Sequence, residues 1–198
     1  MNSADADCVL ALRAVEGDRR AYTILMTRHG GSLAQAARAF GMPETDVDDV
    51  VQESFIAAWR NLAQYDPARP FRGWLFRIAI NKMRDMRRRR RVRAFLFGAQ
   101  RLDERPDMAD DAPDQERLAM AASELAHIRA RLGSLEGGLG EALVLTAIVG
   151  MSQPEAALAL GISVKSIEGR VARARMKLAG LLDQEKMQQA EGKAARGA

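Results

Sequence analysis

The chain has a single cysteine, Cys8, in 198 residues, so no intrachain disulfide can form and nothing points to an oxidising compartment. Histidine is almost as scarce. His29 and His127 stand far apart, neither belongs to a Cys/His cluster, and both read as ordinary helix residues rather than metal ligands. Aromatic residues make up only 5% of the chain, which leaves little of the material that strands favour. No run approaches the roughly 20 apolar residues that span a bilayer, and Met1 to Asp7 has neither a basic n-region nor an apolar h-region. A cytoplasmic location with no membrane partner is therefore expected. Also missing are a Ser/His/Asp set, a glycine-rich phosphate loop and any metal-ligand spacing, so the chain is read as a non-enzyme with no catalytic residue, no metal and no cofactor.

The residues that are plentiful, Ala, Leu, Met and Arg, are good helix formers, and an all-α class is expected. With 47% hydrophobic residues the chain can bury a core, and 30 Lys and Arg against 26 Asp and Glu make a polyanion a reasonable partner. Charge also divides the chain. Residues 1–97 carry 17 basic and 11 acidic side chains, net +6; residues 98–117 carry 3 and 7, net −4; residues 118–198 carry 10 and 8, net +2. The middle segment, with Pro106, Pro113 and seven carboxylates, has little apolar area to bury and reads as a flexible acidic linker between two helical domains.

In the first domain, short and long helices are expected over 9–15 and 21–40, stopped at Gly17 and Gly41. A third runs from Asp46 to Ala63, capped by Thr45 or Asp46. It lays Val47, Val50, Val51, Ser54, Phe55, Ala58, Trp59 and Leu62 on one stripe and shows Asp48, Asp49, Gln52, Glu53, Arg60 and Asn61 on the other face. Pro67 and Pro70 stiffen the loop that follows. A fourth helix starts near Phe71, buries Phe71, Trp74, Leu75, Ile78, Ala79 and Met86, and merges into the arginine run 87–91. In the second domain helices are expected over 119–132 and 141–149. Ser152 and Glu155 then have capping-box spacing, Pro154 suits a first turn and Gly161 supplies a stop. The next helix carries Ile167, Val171, Ala174 and Leu178 inward and a set of basic residues outward, a helix-turn-helix pattern. The tail 183–198 is expected to fray.

These residues resemble the extracytoplasmic-function (ECF, group four) sigma factors of bacterial RNA polymerase. The run from Asp48 to Arg60 and its continuation from Tyr65 to Ala79 look like the family's second conserved region; Gly150-Met151-Ser152, Leu160 to Ser163 and Arg170 to Arg175 look like its fourth. The resemblance implies a sigma-2-like four-helix domain over 1–97, the linker over 98–117, a sigma-4-like helix-turn-helix domain over 118–182 and a C-terminal tail over 183–198. It implies core RNA polymerase as partner, through the clamp coiled coil of the beta-prime subunit and the beta flap, together with promoter DNA and an anti-sigma factor. Asp48, Asp49, Gln52, Glu53 and Arg60 would dock on the polymerase. The stiff loop from Tyr65 to Pro70, with Asp66, would help hold a base flipped from the minus-ten element, and Arg69 and Arg72, with Asn81, Arg84, Arg87 and Arg88, would hold phosphates and nearby bases.

At the minus-thirty-five element, Lys165, Ser166, Arg173, Arg175 and Lys177 would contact DNA chiefly at phosphates, with Glu168 and Arg170 as candidates for base edges. Glu168 could equally be an intrahelical partner of Lys165. It also marks a departure, because Glu168-Gly169-Arg170 stands where the family usually has Lys-Ser-Arg. The linker would either thread a basic channel of the polymerase or serve only as a tether. The implied function is promoter-specific initiation of transcription of a stress or regulatory regulon. The alternative is a free-standing helix-turn-helix regulator, which would leave the block from Asp48 to Arg77 without a purpose.

Overall fold

A computed structural model of the chain describes residues 3–96, 135 and 138–196. Seven α-helices are described: α1 (Ser3–Val15), α2 (Arg19–Ala39), α3 (Glu44–Arg60), α4 (Phe71–Leu96), α5 (Leu139–Leu143), α6 (Gln153–Leu160) and α7 (Val164–Arg196). No strand occurs among the described residues, and no described helix is long and apolar enough to cross a membrane. The acidic stretch 98–117, the helix expected over 119–132 and His127 lie outside the described residues.

Helices α1 to α4 form the first unit. Asp18 caps α2, its Oδ1 accepting from the amides of Arg20 (3.0 Å) and Ala21 (3.2 Å). Ala21, Tyr22, Leu25, His29, Leu33, Ala36 and Ala37 make the buried face of α2. Helix α3 begins earlier than its sequence implied. It starts at Glu44 behind Pro43, without a side-chain cap, so Thr45 and Asp46 lie within its first turn. Glu44 and Asp46 there suit the positive end of the helix dipole, and Arg38 of α2 holds Glu44 at 2.6 Å. The helix closes at Arg60, and Leu62–Gln64 form a 3-10 turn where helix was expected to continue.

The buried arc of α4 is wider than the expected stripe. Phe76, Ile80 and Met83 are buried along with Phe71, Leu75 and Ala79, because α4 packs on its own unit and also on the second. That second contact runs along α6. A side chain at Gly73 would sit 3.0 Å from both the Glu155 carbonyl oxygen and Leu158 Cδ2, so only glycine lets the two helix backbones come this close. The core is continuous through both units, from Ala11 to Ala174.

In the second unit the helix expected over 141–149 takes two forms. After α5, residues Val144–Ile148 form a π-helical turn, with the Val149 amide bonded to the Val144 carbonyl at 2.9 Å and Thr146 Oγ1 donating to the Ala142 carbonyl at 2.8 Å. The capping box is present: the Ser152 amide donates to Glu155 Oε2 at 2.8 Å, and Ser152 Oγ accepts from the Glu155 amide. Gly161 ends α6 at φ +68°, and Ile162 N bonds back to Ala157 O at 3.0 Å. Ser163 Oγ then accepts from the Ser166 amide at 3.2 Å, starting α7. That helix buries Ile167 and Ala174 and continues to Arg196, so the expected fraying from Asp183 is replaced by helix.

Candidate nucleic-acid interface

Three surfaces collect the residues singled out above. The first lies between α2 and α3, where an open groove of about 620 Å³ has Tyr22 and Phe55 at its floor and Met26, Ile56 and Trp59 on its walls. Tyr22 donates its hydroxyl to the Phe55 carbonyl at 2.6 Å, and its ring meets Trp59 at 4.8 Å. Burial holds the Tyr22 hydroxyl well above the ordinary tyrosine pKa, so it stays a neutral donor. Gln52 and Arg60 stand at the rim, and Asp48 and Asp49 are exposed further along α3. Glu53 is paired with Lys82 of α4 at 3.0 Å. Trp59, expected in the core, is 40% exposed; with Ile56 (51%) and Met26 (40%) it makes this face apolar as well as charged. Sequence periodicity could not separate a groove wall from a core position, because both fall on the same helical stripe.

The second surface is the 65–70 loop with α4. Asp66 and Arg69 are exposed and form a tight turn: Asp66 Oδ1 accepts from the Ala68 amide at 3.0 Å, Oδ2 from Arg69 Nε at 3.1 Å, and the Asp66 carbonyl from the Arg69 amide at 3.0 Å. Tyr65 is buried, at 7% exposure, with its hydroxyl donating to the Arg69 carbonyl at 2.7 Å. Its ring rests edge-on against Phe71 at 5.4 Å. In this arrangement Tyr65 builds the loop from inside and presents no face to a ligand; burial, foremost, pushes its hydroxyl pKa up.

Along α4 the candidate residues divide. Asn81, Arg87 and Arg88 are exposed, with Arg88 paired to Asp85 at 3.1 Å. Arg72 and Arg84 instead turn into the second unit. Arg72 donates to the carbonyls of Val149 (2.6 Å) and Gly150 (3.3 Å), while Arg84 grips Glu141 with two bonds, at 3.1 and 2.5 Å. The Glu141 carboxylate holds the Arg84 guanidinium pKa above its usual value. Further along the run, Arg90 reaches Asp46 at 3.2 Å.

The third surface is the outer face of α7. Lys165, Ser166, Glu168, Arg173, Arg175 and Lys177 are exposed on it, and Arg173 also donates to the Gly169 carbonyl at 3.1 Å. Arg170 is half-buried, its guanidinium lying where a side chain at Gly138 (φ +73°) would have to go. No ion pair joins Glu168 to Lys165 among the described residues.

Family models agree with this division of the chain. The model for sigma-70 region 2 matches residues 25–93 and that for sigma-70 region 4 matches residues 125–178. Among curated proteins, the chain is 58% identical over 186 residues to the RNA polymerase sigma factor CnrH of Cupriavidus metallidurans, covering 92% of this chain and 97% of that one. It is 53% identical over 182 residues to the RNA polymerase sigma factor NccH of Alcaligenes xylosoxydans xylosoxydans, with the same coverage, 92% and 97%. The ECF RNA polymerase sigma-E factor of Escherichia coli is 31% identical over 191 residues, covering 88% and 93%. Among solved structures, CnrH in complex with the cytosolic domain of CnrY matches with a TM-score of 0.71 at 51% identity, over 90% of this chain and 98% of that chain.

Proposed function

The chain belongs to the sigma-70 family, in its ECF branch, and from that premise we propose that it binds core RNA polymerase, directs it to promoters and acts entirely by binding, with no active site of its own. The observation that carries this reading is that one chain holds region 2 and region 4 together, and is alike to named sigma factors over nearly its whole length. A free-standing DNA-binding regulator would need the helix-turn-helix and would have no use for an apolar groove on the opposite unit.

The α2/α3 groove is proposed to take the clamp coiled coil of the polymerase. Met26, Ile56 and Trp59 would supply buried area, while Asp48, Asp49, Gln52 and Arg60 set orientation and encounter rate. The 65–70 loop would capture a flipped minus-ten base through Asp66 and Arg69, and Arg72, Asn81, Arg84, Arg87 and Arg88 would hold the strand. On α7, Lys165, Arg173, Arg175 and Lys177 would contact phosphates of the minus-thirty-five element, and Glu168 and Arg170 would read base edges. The engagement of Arg72 and Arg84 by the second unit supports control by an anti-sigma factor that holds the two units together, and CnrH is described in complex with the cytosolic domain of CnrY. Action is placed in the cytoplasm, where polymerase and promoter meet.

Run-off transcription from a genomic promoter library, with purified core polymerase with and without this chain, tests the reading. Discrete new start sites sharing two spaced upstream elements are expected. Tight DNA binding by the chain alone, with no new starts, would replace it by the free-standing regulator.

A further inference from the structure

Helix α1 has no part in the proposed contacts, yet it holds the most costly side chain to bury in the first unit. Asp7 is 3% exposed. Its Oδ2 lies 2.8 Å from Nε2 of the equally buried His29, and its Oδ1 accepts from Arg28 Nη1. Burial pushes the Asp7 carboxyl up, and the His29 ring and Arg28 guanidinium outweigh that and hold it below the ordinary carboxylate range. An apolar side chain could pack α1 on α2 without this desolvation cost. What a buried, paired carboxylate would add is register, by favouring the one rotation of α1 against α2 that keeps it paired.

That register has a consequence at the next residue. With Asp7 directed at α2, the Cys8 thiol reaches the Pro67 carbonyl in the loop at 3.4 Å. Two residues on, the Arg69 carbonyl is held by Tyr65. The Tyr65 ring rests on Phe71, and Phe71 is 5.8 Å from the His29 ring that binds Asp7. The loop is thus tied from inside at two carbonyls flanking its tip, and both ties lead back to the Asp7 and His29 pair.

We propose that α1 is a positioning element for the 65–70 loop: the Asp7 and His29 pair sets the register that places Cys8 and Tyr65 beneath the loop, and so sets how strictly the flipped minus-ten base is read. This rests on the reading of that loop as the base-capturing element. None of these side chains is assigned to touch DNA; they act through the loop backbone.

The test uses the full chain reconstituted with core polymerase on templates carrying each base at every minus-ten and minus-thirty-five position, with core affinity and urea stability measured alongside. Asp7→Ala is expected to lower the ratio of best to mismatched base at one minus-ten position by about tenfold, the scale of one good base contact. Cys8→Ala should lower it by about threefold, the scale of one weak hydrogen bond. Discrimination at the minus-thirty-five element should be unchanged, and core affinity should stay within about twofold. His29→Gln, which keeps an N–H donor toward Asp7, should retain most of the discrimination. Unchanged minus-ten ratios in folded Asp7→Ala, or equal losses at both elements, would overturn the proposal. If Asp7→Ala does not fold, Cys8→Ala decides: an unchanged ratio overturns it. Asp66→Ala and Arg69→Ala separate the two readings. If they too leave minus-ten ratios unaltered, the loop reading fails and takes this one with it; if they alter the ratios and the α1 variants do not, this proposal alone fails.

Discussion

The two proposed DNA surfaces are treated differently by the same structure. On α4, Arg72 and Arg84 spend their donors on Val149, Gly150 and Glu141, and Gly73 lets α6 lie directly against the helix. On α7, Arg170 is drawn inward, and Lys165, Arg173, Arg175 and Lys177 are exposed. The closed arrangement therefore engages Arg72 and Arg84 of the proposed minus-ten surface, while Asp66, Arg69, Asn81, Arg87 and Arg88 stay exposed, and it leaves the α7 face largely open. The difference would make closure a gate on Arg72 and Arg84 alone, a consequence that the Gly73→Val variant below tests. Duplex DNA would then be met by α7 first, and Arg72 and Arg84 would reach an opened strand only after the units part.

The ties on α4 are also weak enough to break. The Arg84 and Glu141 side chains remain 46% and 22% exposed, and a pair so placed contributes little in water. Hydrogen bonds from a guanidinium to carbonyls, as at Arg72, contribute about 1.5 to 3 kcal/mol where they are well formed.

The largest effect should come from breaking the side that is covered. Phe71→Ala removes the ring against which His29, Tyr65 and Trp74 all pack, and should cost about 3 to 5 kcal/mol in urea unfolding. It should abolish minus-ten recognition together with stability. Gly73→Val tests the gate itself. Its side chain must displace the Glu155 carbonyl or Leu158, an overpacking cost of about 1 to 3 kcal/mol. It should widen the particle in small-angle scattering and raise the isolated chain's affinity for a single-stranded minus-ten oligonucleotide, with duplex minus-thirty-five binding unchanged. A compact particle with unchanged affinity would remove the gate.

On the open side, Arg170→Ala should cost roughly 1 to 3 kcal/mol and relax one base preference, whereas Arg173→Ala should weaken all sequences alike and lower the salt slope by about 1. Uniform weakening by Arg170→Ala would make it a phosphate contact. The smallest effect is expected from Glu141→Gln, which removes only the charge gripping Arg84. It should favour opening by about 0.2 to 1 kcal/mol, seen as a slight gain in minus-ten oligonucleotide binding that fades as salt is raised.

Local signals were the legible part of this molecule. The Ser152 and Glu155 capping box, the Gly161 stop and the inward Ile167 and Ala174 are all present as read, because each depends on residues within one turn of chain. The limits of α3 and the tail were read less well: Pro43 starts α3 without a side-chain cap, and α7 continues to Arg196 through a stretch rich in Ala, Gln, Glu and Lys despite Gly180 and Gly192. Trp59 and Tyr65 changed places. The stripe put Trp59 inside and the loop put Tyr65 outside, yet Trp59 walls a groove and Tyr65 lies beneath its own loop. Neither could be decided from spacing, since each depends on what an adjacent helix leaves open.

By itself the sequence determined the all-helical class, the order of the helices and the two basic elements, because periodicity, capping and charge act over a few residues. Only the tertiary structure decided which arginines of α4 bond to the second unit, where Asp7 finds His29, and that Gly73 is a point of helix contact. Those outcomes join residues far apart in the chain, and they follow from one packing of α1 on α2 and α6 on α4 that no local pattern encodes.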